Sequence, residues 1–129
     1  MKSLVAAAFA AVTLITASQA SAQPGGAAAP QRVEVLVGYG AGTGVDSIAR
    51  FYADRLQKKT GVPHVVVNKV GVYGNLAAQD VVRANPDGST ILITPNPVLS
   101  VNMHLLNKMP FDPVKDLAPV TTLSRWGMV

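Results

Sequence analysis

From residue 32 onward the apolar positions switch between two spacings. Val33–Val37 (VEVLV) is short, apolar and β-branched, which is the pattern of a buried strand. After a run of glycines the spacing lengthens: Val45, Ile48, Ala49, Tyr52 and Leu56 fall at i, i+3, i+4, i+7 and i+11, one face of a helix. Lys58, Lys59, Thr60 and Gly61 close it, with cations in the last turn and a glycine suited to the left-handed cap. His64–Val67 (HVVV) reads as a second strand and Leu76–Ala84 as a second helix, opened by Gly74 and Asn75 and stopped by Asn85, Pro86, Asp87 and Gly88. Thr90–Thr94 (TILIT) reads as a third strand, and Pro97–Leu106 as a third helix with proline in its first turn. This β-α-β-α-β-α order predicts an α/β fold, a parallel sheet with right-handed crossovers and helices on its faces. Ligands of such sheets bind beyond the carboxyl ends of the strands. Three loops are expected on that edge: Gly38–Gly44, Asn68–Gly74 and Pro95–Pro97.

The first 31 residues follow no such alternation. Lys2 precedes an apolar, alanine-rich run from Leu4 to Ala17, and Ala20, Ser21 and Ala22 then meet the small-x-small requirement of signal peptidase. The reading is a secretory signal over 1–22, cut after Ala22. A membrane anchor is disfavoured because the run is shorter than the roughly 20 residues that span a bilayer, and no stop-transfer flank follows. Gln23–Gln31 (QPGGAAAPQ) reads as a flexible leader without chemistry of its own. There is no cysteine, which excludes a lipoprotein anchor, disulfides, a thiolate nucleophile and Cys-ligated metal. The mature product is therefore expected free outside the cytoplasm, without direct membrane insertion.

Composition narrows the partners. The 129 residues are 49% apolar and 14% charged, a balance that supports one small core. The net charge is +4, and loss of Lys2 with the signal leaves +3. The cations are scattered rather than gathered into a stripe, and aromatics are few, so a nucleic-acid partner is excluded by the missing charge footprint. A mild positive balance suits small anions.

The candidate chemistry lies in VGYGAGTGVDSIAR, residues 37–50. The dinucleotide fingerprint G-x-G-x-x-G fails here, since Thr43 or Val45 stands where the third glycine is needed. The P-loop fails as well, because no Lys-Ser or Lys-Thr pair follows. What remains is a strand, a glycine turn rich in free N–H groups and a helix N-terminus carrying about half a positive charge. That is an anion seat, and a carboxylate is its candidate occupant. Thr43 and Asp46 have capping-box spacing, so Asp46 is expected to reach back to the Thr43 N–H; its alternative roles at the ligand site are to fix the loop's shape or to contact a ligand amine or hydroxyl directly. His64 and His104 lack acidic partners at metal-ligand spacing, and Glu34 is expected at a sheet edge or sheet end. Neither a catalytic constellation, a metal site nor a cofactor motif emerges.

Four ordered motifs then resemble one family, the Bug/TctC-type extracytoplasmic solute receptors of tripartite tricarboxylate transporters. The family's first loop, V-P-[FY]-x-P-G-G-x-x-D-x-x-A-R, is matched at Val37, Tyr39, Gly42, Asp46, Ala49 and Arg50. V-V-x-N-[RK]-x-G-x-x-G-N is matched at Val65, Val66, Asn68, Lys69, Gly71, Gly74 and Asn75. P-D-G-x-T-[IL]-L is matched from Pro86 to Leu92, and L-P-[FY]-D-P-x-x-D-[FL]-x-P-[VI] is nearly complete from Met109 to Val120. The resemblance implies a two-lobed type II periplasmic-binding-protein fold that closes on a small carboxylic acid and passes it to membrane permease subunits. It further implies that Tyr39, Gly40, Ala41, Gly42, Thr43 and Gly44 form the carboxylate clamp, that Gly74 and Asn75 flank it, and that Thr94 and Asn96 line the third loop.

Departures from the pattern carry expectations too. Family prolines are replaced at Gly38, Gly40 and Ala41, which removes fixed φ angles and raises the entropy cost of ordering the loop. Val45 stands where threonine is usual, and Tyr73 where a small residue precedes Gly74, a change expected to fill or reshape part of the pocket. Members of the family are more than twice this length. Residues 32–109 thus read as the beginning of lobe 1 and 110–129 as a crossover toward a second lobe absent from this sequence, giving a truncated chain of poor stability and weak binding. Two alternatives are a single-lobe interaction module or degenerate fragment without ligand, and an enzyme fragment whose catalytic residues lie elsewhere.

Overall fold

A computed structural model describes residues 30–125; the expected signal 1–22, most of the leader and the last four residues lie outside the described residues. Strands β1 (Val33–Val37), β2 (His64–Asn68) and β3 (Thr90–Ile93) form one parallel sheet in the order β2-β1-β3. Val35 lies opposite Val66 and Ile91, and Val37 opposite Asn68 and Ile93. With a strand on either side, β1 buries Val33, Val35, Leu36 and Val37. Glu34, the second residue of this central strand, sits at the sheet end and pairs with Arg32.

Strand side chains alternate between the two faces, and each face is covered by its own helix. Val33, Val35 and Val37, with Val66, Ile91 and Ile93, pack on Ala49 and Ala53 of α1 (Gly44–Thr60). Leu92 points the opposite way and packs with Ala78 of α2 (Asn75–Arg83), Val98 and Phe111. Alanine at Ala49, Ala53 and Ala78 lets the helices approach the sheet closely, so that small residues and valines fill the core. Phe111 and Leu117 belong to that second cluster, and the Tyr52 hydroxyl donates to Leu123 O at 3.3 Å, so the segment after residue 110 lies against the sheet layers.

Both ends of α1 form as the sequence predicts. Thr43 is the N-cap, its Oγ1 accepting from Asp46 N at 3.4 Å, and Gly61 is the left-handed C-cap with φ 72°. The third helix differs. Instead of one helix over Pro97–Leu106 there are two single turns, α3 (Pro97–Ser100) and α4 (Asn102–Leu105). Ser100 Oγ donates back to Asn96 O at 3.2 Å, a bond that competes with the helical ladder. The Asn102 side chain turns inward to donate to Tyr73 O at 3.2 Å and Asn75 Oδ1 at 2.8 Å, which fixes the break after Val101. Residues 72–74 form a tight left-handed turn, with Val72 at φ 46° and Tyr73 at φ 54°, where only an irregular loop is expected.

Candidate functional site

The first loop leaves β1 at Gly38, which is buried against the second loop. A Cβ at Gly38 would lie 2.5 Å from Gly74 Cα and 2.8 Å from Gly74 O, so the two loops touch backbone to backbone. The ring of Tyr39 closes over the same point: a Cβ at Gly74 would meet Tyr39 Cε2 at 3.2 Å and Val98 Cγ2 at 2.9 Å. Half-buried, Tyr39 packs against both apolar clusters, a joint between the layers. Ala41, Gly42 and Gly44 are exposed beyond it, and Gly42 has φ 83°. Thr43 Oγ1 donates to Gly40 O at 2.8 Å. The N–H groups of Gly44 and Val45 occupy the first turn of α1, where a helix supplies no intrahelical acceptor.

Asp46 sets the shape of this turn. It does not reach the Thr43 N–H, as capping-box spacing predicts, because that group already donates to Gly40 O at 3.3 Å. Its Oδ2 accepts instead from Gly42 N at 2.9 Å and Arg50 Nε at 3.0 Å, and its Oδ1 from Asn68 Nδ2 at 2.9 Å. Arg50 Nη2 donates to Asn68 Oδ1 at 3.1 Å, which closes a ring of three side chains. Asn68 Nδ2 also donates to Tyr39 O at 2.9 Å, so the end of β2 is tied to the first loop. The Arg50 guanidinium first, then the Asn68 amide and the Gly42 N–H, hold the Asp46 carboxyl far below the usual carboxylate range, outweighing the desolvation that opposes them. With Asp46 only 2% exposed, its carboxylate is occupied within the protein, which leaves it a shaping rather than a contacting role.

The remaining expected residues divide. Gly74, with φ 89°, lies at the loop contact, but Asn75 is turned into the interior: it is 2% exposed, accepts from Asn102 and places Nδ2 3.3 Å from Met109 Sδ. Thr94 follows β3 one position beyond the Val37–Ile93 pair, and its Oγ1 is buried without a hydrogen-bond partner among the described residues. Asn96 is exposed at the start of α3 and its side chain makes no capping bond. The three loops therefore do meet at the carboxyl edge of the sheet. Tyr39, Gly40, Ala41, Gly42, Thr43 and Gly44 form the turn, Gly74 backs it and Thr94 lies beside it, while Asp46 and Asn75 support from within.

Sequence reasoning did not single out Arg50, Asn68 or Asn102 as site residues. The signals for the first two were present: arginine at i+4 from a first-turn aspartate, and a lone polar residue ending an apolar strand on the ligand edge. Asn102 carries no local signal, since its partners are 27 and 29 residues away. Among the described residues there is no group of three His, Asp or Glu side chains able to hold a metal, and no helix long and apolar enough to cross a membrane.

The model of the family described as the tripartite tricarboxylate transporter family receptor matches residues 48–129. This chain belongs to that receptor family. Within this family, a UPF0065 protein of Bordetella bronchiseptica is 40% identical over 88 residues, which are 68% of this chain and 26% of that protein. A UPF0065 protein encoded in the gbd 5′ region of Cupriavidus necator is 37% identical over 99 residues, 76% of this chain and 30% of that one. Protein BugT of Bordetella pertussis is 30% identical over 90 residues, 69% and 28% of the respective chains. Among solved structures, MatC from Rhodopseudomonas palustris with bound malate superimposes with a TM-score of 0.63 at 32% identity, over 66% of this chain and 29% of MatC. A second, described as a periplasmic transporter, gives a TM-score of 0.53 at 32% identity, over 65% and 28%. The receptor-family chain described here thus spans between a quarter and a third of the length of these relatives. The matched stretch of the family model begins at Ile48, just after Gly38–Gly44, and includes Asn68, Gly74, Asn75, Thr94 and Asn96.

Proposed function

We propose that this chain is the ligand-seating portion of a periplasmic solute receptor, taking the carboxylate of a small organic acid at the first loop and the N-terminus of α1. The observation that carries the reading is the turn Ala41–Gly44, exposed at Ala41, Gly42 and Gly44, whose shape is set from beneath by the buried Asp46 carboxylate and its partners Arg50 and Asn68. First-turn N–H groups and the helix dipole favour an anion there. An aspartate under an anion seat would repel the ligand, but Arg50 and Asn68 engage this carboxylate and Gly42 bonds it from above, so its charge is compensated locally. The buried, unpaired Thr94 hydroxyl adds a polar group at the same edge. Membership of a receptor family supports a binding role rather than catalysis, and the likeness to MatC, whose structure holds malate, supports an organic acid as ligand. Export by the 1–22 signal with cleavage after Ala22, and delivery of the acid to permease subunits in the membrane, belong to the same proposal.

The test is an NMR titration of the chain with acetate, phenylacetate, malate and citrate, each against its uncharged amide. Movement of the Gly42, Gly44 and Val45 amides with at least one acid, and not with the corresponding amide, is expected. If these amides stay still with every acid at tens of millimolar, the carboxylate seat is refuted.

A further inference from the structure

The second loop carries an apolar arch that the carboxylate seat does not use. It departs at Asn68, bonded to Tyr39 O and Asp46, and returns at Gly74, pressed on Gly38, so residues 69–73 span the first loop between two ties. Val70, Val72 and Tyr73 project from this arch and are 64%, 60% and 77% exposed. The backbone beneath them is strained: Val72 has φ 46° and Tyr73 φ 54°, two successive left-handed residues that are not glycine. Gly74 N donates to Gly71 O at 2.9 Å and the buried Asn102 donates to Tyr73 O at 3.2 Å, so the surroundings hold the conformation in place. The outcome is a tyrosine ring presented to solvent one residue before Gly74, which is pressed on Gly38 at the base of the first loop, its hydroxyl without a hydrogen bond among the described residues.

Charge on the two loops points the same way. Arg50 is engaged by Asp46 and Asn68, and Lys69 by Asp80 of α2, which leaves no free cation on these loops for a second carboxylate. Resting on the carboxylate seat proposed above, we infer that the arch selects the body of the ligand. The acid taken is a monocarboxylate with an apolar, preferably aromatic, body, which packs on Tyr73 and Val72 while its carboxylate occupies the first loop. Tyr73 is then the specificity-determining residue of the seat, and short polycarboxylates such as malate are disfavoured by this part of the protein.

The experiment extends the same NMR titration to Tyr73 variants. Phenylacetate is expected to bind about tenfold tighter than acetate or malate, a ratio in keeping with one aromatic contact. Tyr73→Phe should keep that preference. Tyr73→Gly should bring phenylacetate to the level of acetate while holding the urea midpoint at or above that of the parent chain, since glycine accepts φ 54° without strain. That variant cannot lose binding by failing to fold. If phenylacetate is no better than acetate, or stays better in Tyr73→Gly, the inference is overturned while movement of the Gly42 and Gly44 amides keeps the seat itself. If no acid moves those amides, the seat is refuted and the inference falls with it.

Discussion

Alanine at Gly38, Gly42 and Gly74 separates two costs that loop glycines avoid. Gly42 has φ 83° and open space around its missing Cβ, so Gly42→Ala meets only the left-handed penalty. That penalty is about 1–2 kcal/mol, partly offset by the ~0.4–1 kcal/mol that alanine removes from the entropy of the unfolded chain, for a net loss near 1 kcal/mol. Gly38 is the reverse case: its φ is not positive, but its added Cβ would lie 2.5 Å from Gly74 Cα. The obstacle is backbone, which cannot rotate away as a side chain does, so the loss is at or above the upper end of the ~1–3 kcal/mol range of overpacking. Gly74→Ala combines a φ of 89° with approaches of 2.9 Å to Val98 Cγ2 and 3.2 Å to Tyr39 Cε2. Because both obstacles are side chains, its loss should be about 2–3 kcal/mol and should shrink in the Val98→Ala background, a coupling of order 1 kcal/mol between neighbours. Urea unfolding with an unchanged m-value reads each variant against the parent chain. The expected order of loss is Gly38→Ala, then Gly74→Ala, then Gly42→Ala. A neutral Gly38→Ala, or Gly42→Ala costing as much as Gly38→Ala, would refute the loop contact as the reason for these glycines.

Acid sensitivity should report Asp46. Its folded pKa lies below the unfolded value of 3.8, so the stability it adds is fully present above about pH 5 and is lost as pH falls toward the folded value. Asp46→Asn should therefore flatten, between pH 5 and 2.5, the fall in urea midpoint seen in the parent chain; Asp87 and Asp112, also lowered, should leave a residual slope. An unchanged acid limb would exclude the charged ring as drawn. Asn68→Ala removes hydrogen bonds to Tyr39 O, Asp46 and Arg50, a loss of about 2 kcal/mol. Amide exchange at Gly42 should quicken in that variant more than exchange along β3, and equal acceleration at both would contradict a local tie.

The sheet was legible in the sequence because its strands are short apolar runs rich in β-branched residues with glycine or proline close by, and α1 because a threonine cap, an apolar stripe and a terminal glycine agree. Strand ends differed by one residue at Asn68 and Ile93, within the ordinary fraying of such boundaries. What could not be read was tertiary. Asn102 interrupts an otherwise helical pattern because two acceptors far away in sequence face it, and Asn75 turns inward for the same reason. In the site, the positions of the turn were readable from Gly38–Gly44. The supporting residues Arg50 and Asn68 each carried a local signal, but not their pairing, which joins them across 18 residues.

An anion seat made of backbone needs two properties that oppose each other: N–H groups left free for the ligand, and a turn fixed enough to keep them aimed. Proline fixes a turn without using an N–H, and its absence at Gly38, Gly40 and Ala41 suggests a slack loop from sequence alone. Gly38, however, is not slack, because its lack of a side chain is what admits Gly74 and ties the two loops. Asp46 uses one N–H of the turn, that of Gly42, and in return is braced by Arg50 and by Asn68, which holds Tyr39 O as well. The rigidity that proline would supply locally is supplied here by side chains from α1 and β2, so it depends on the charge of Asp46. Gly40 O is held by Thr43 Oγ1, so the entropy cost of ordering rests on Ala41, and replacing Ala41 with proline is the change that would reveal how much of that cost remains.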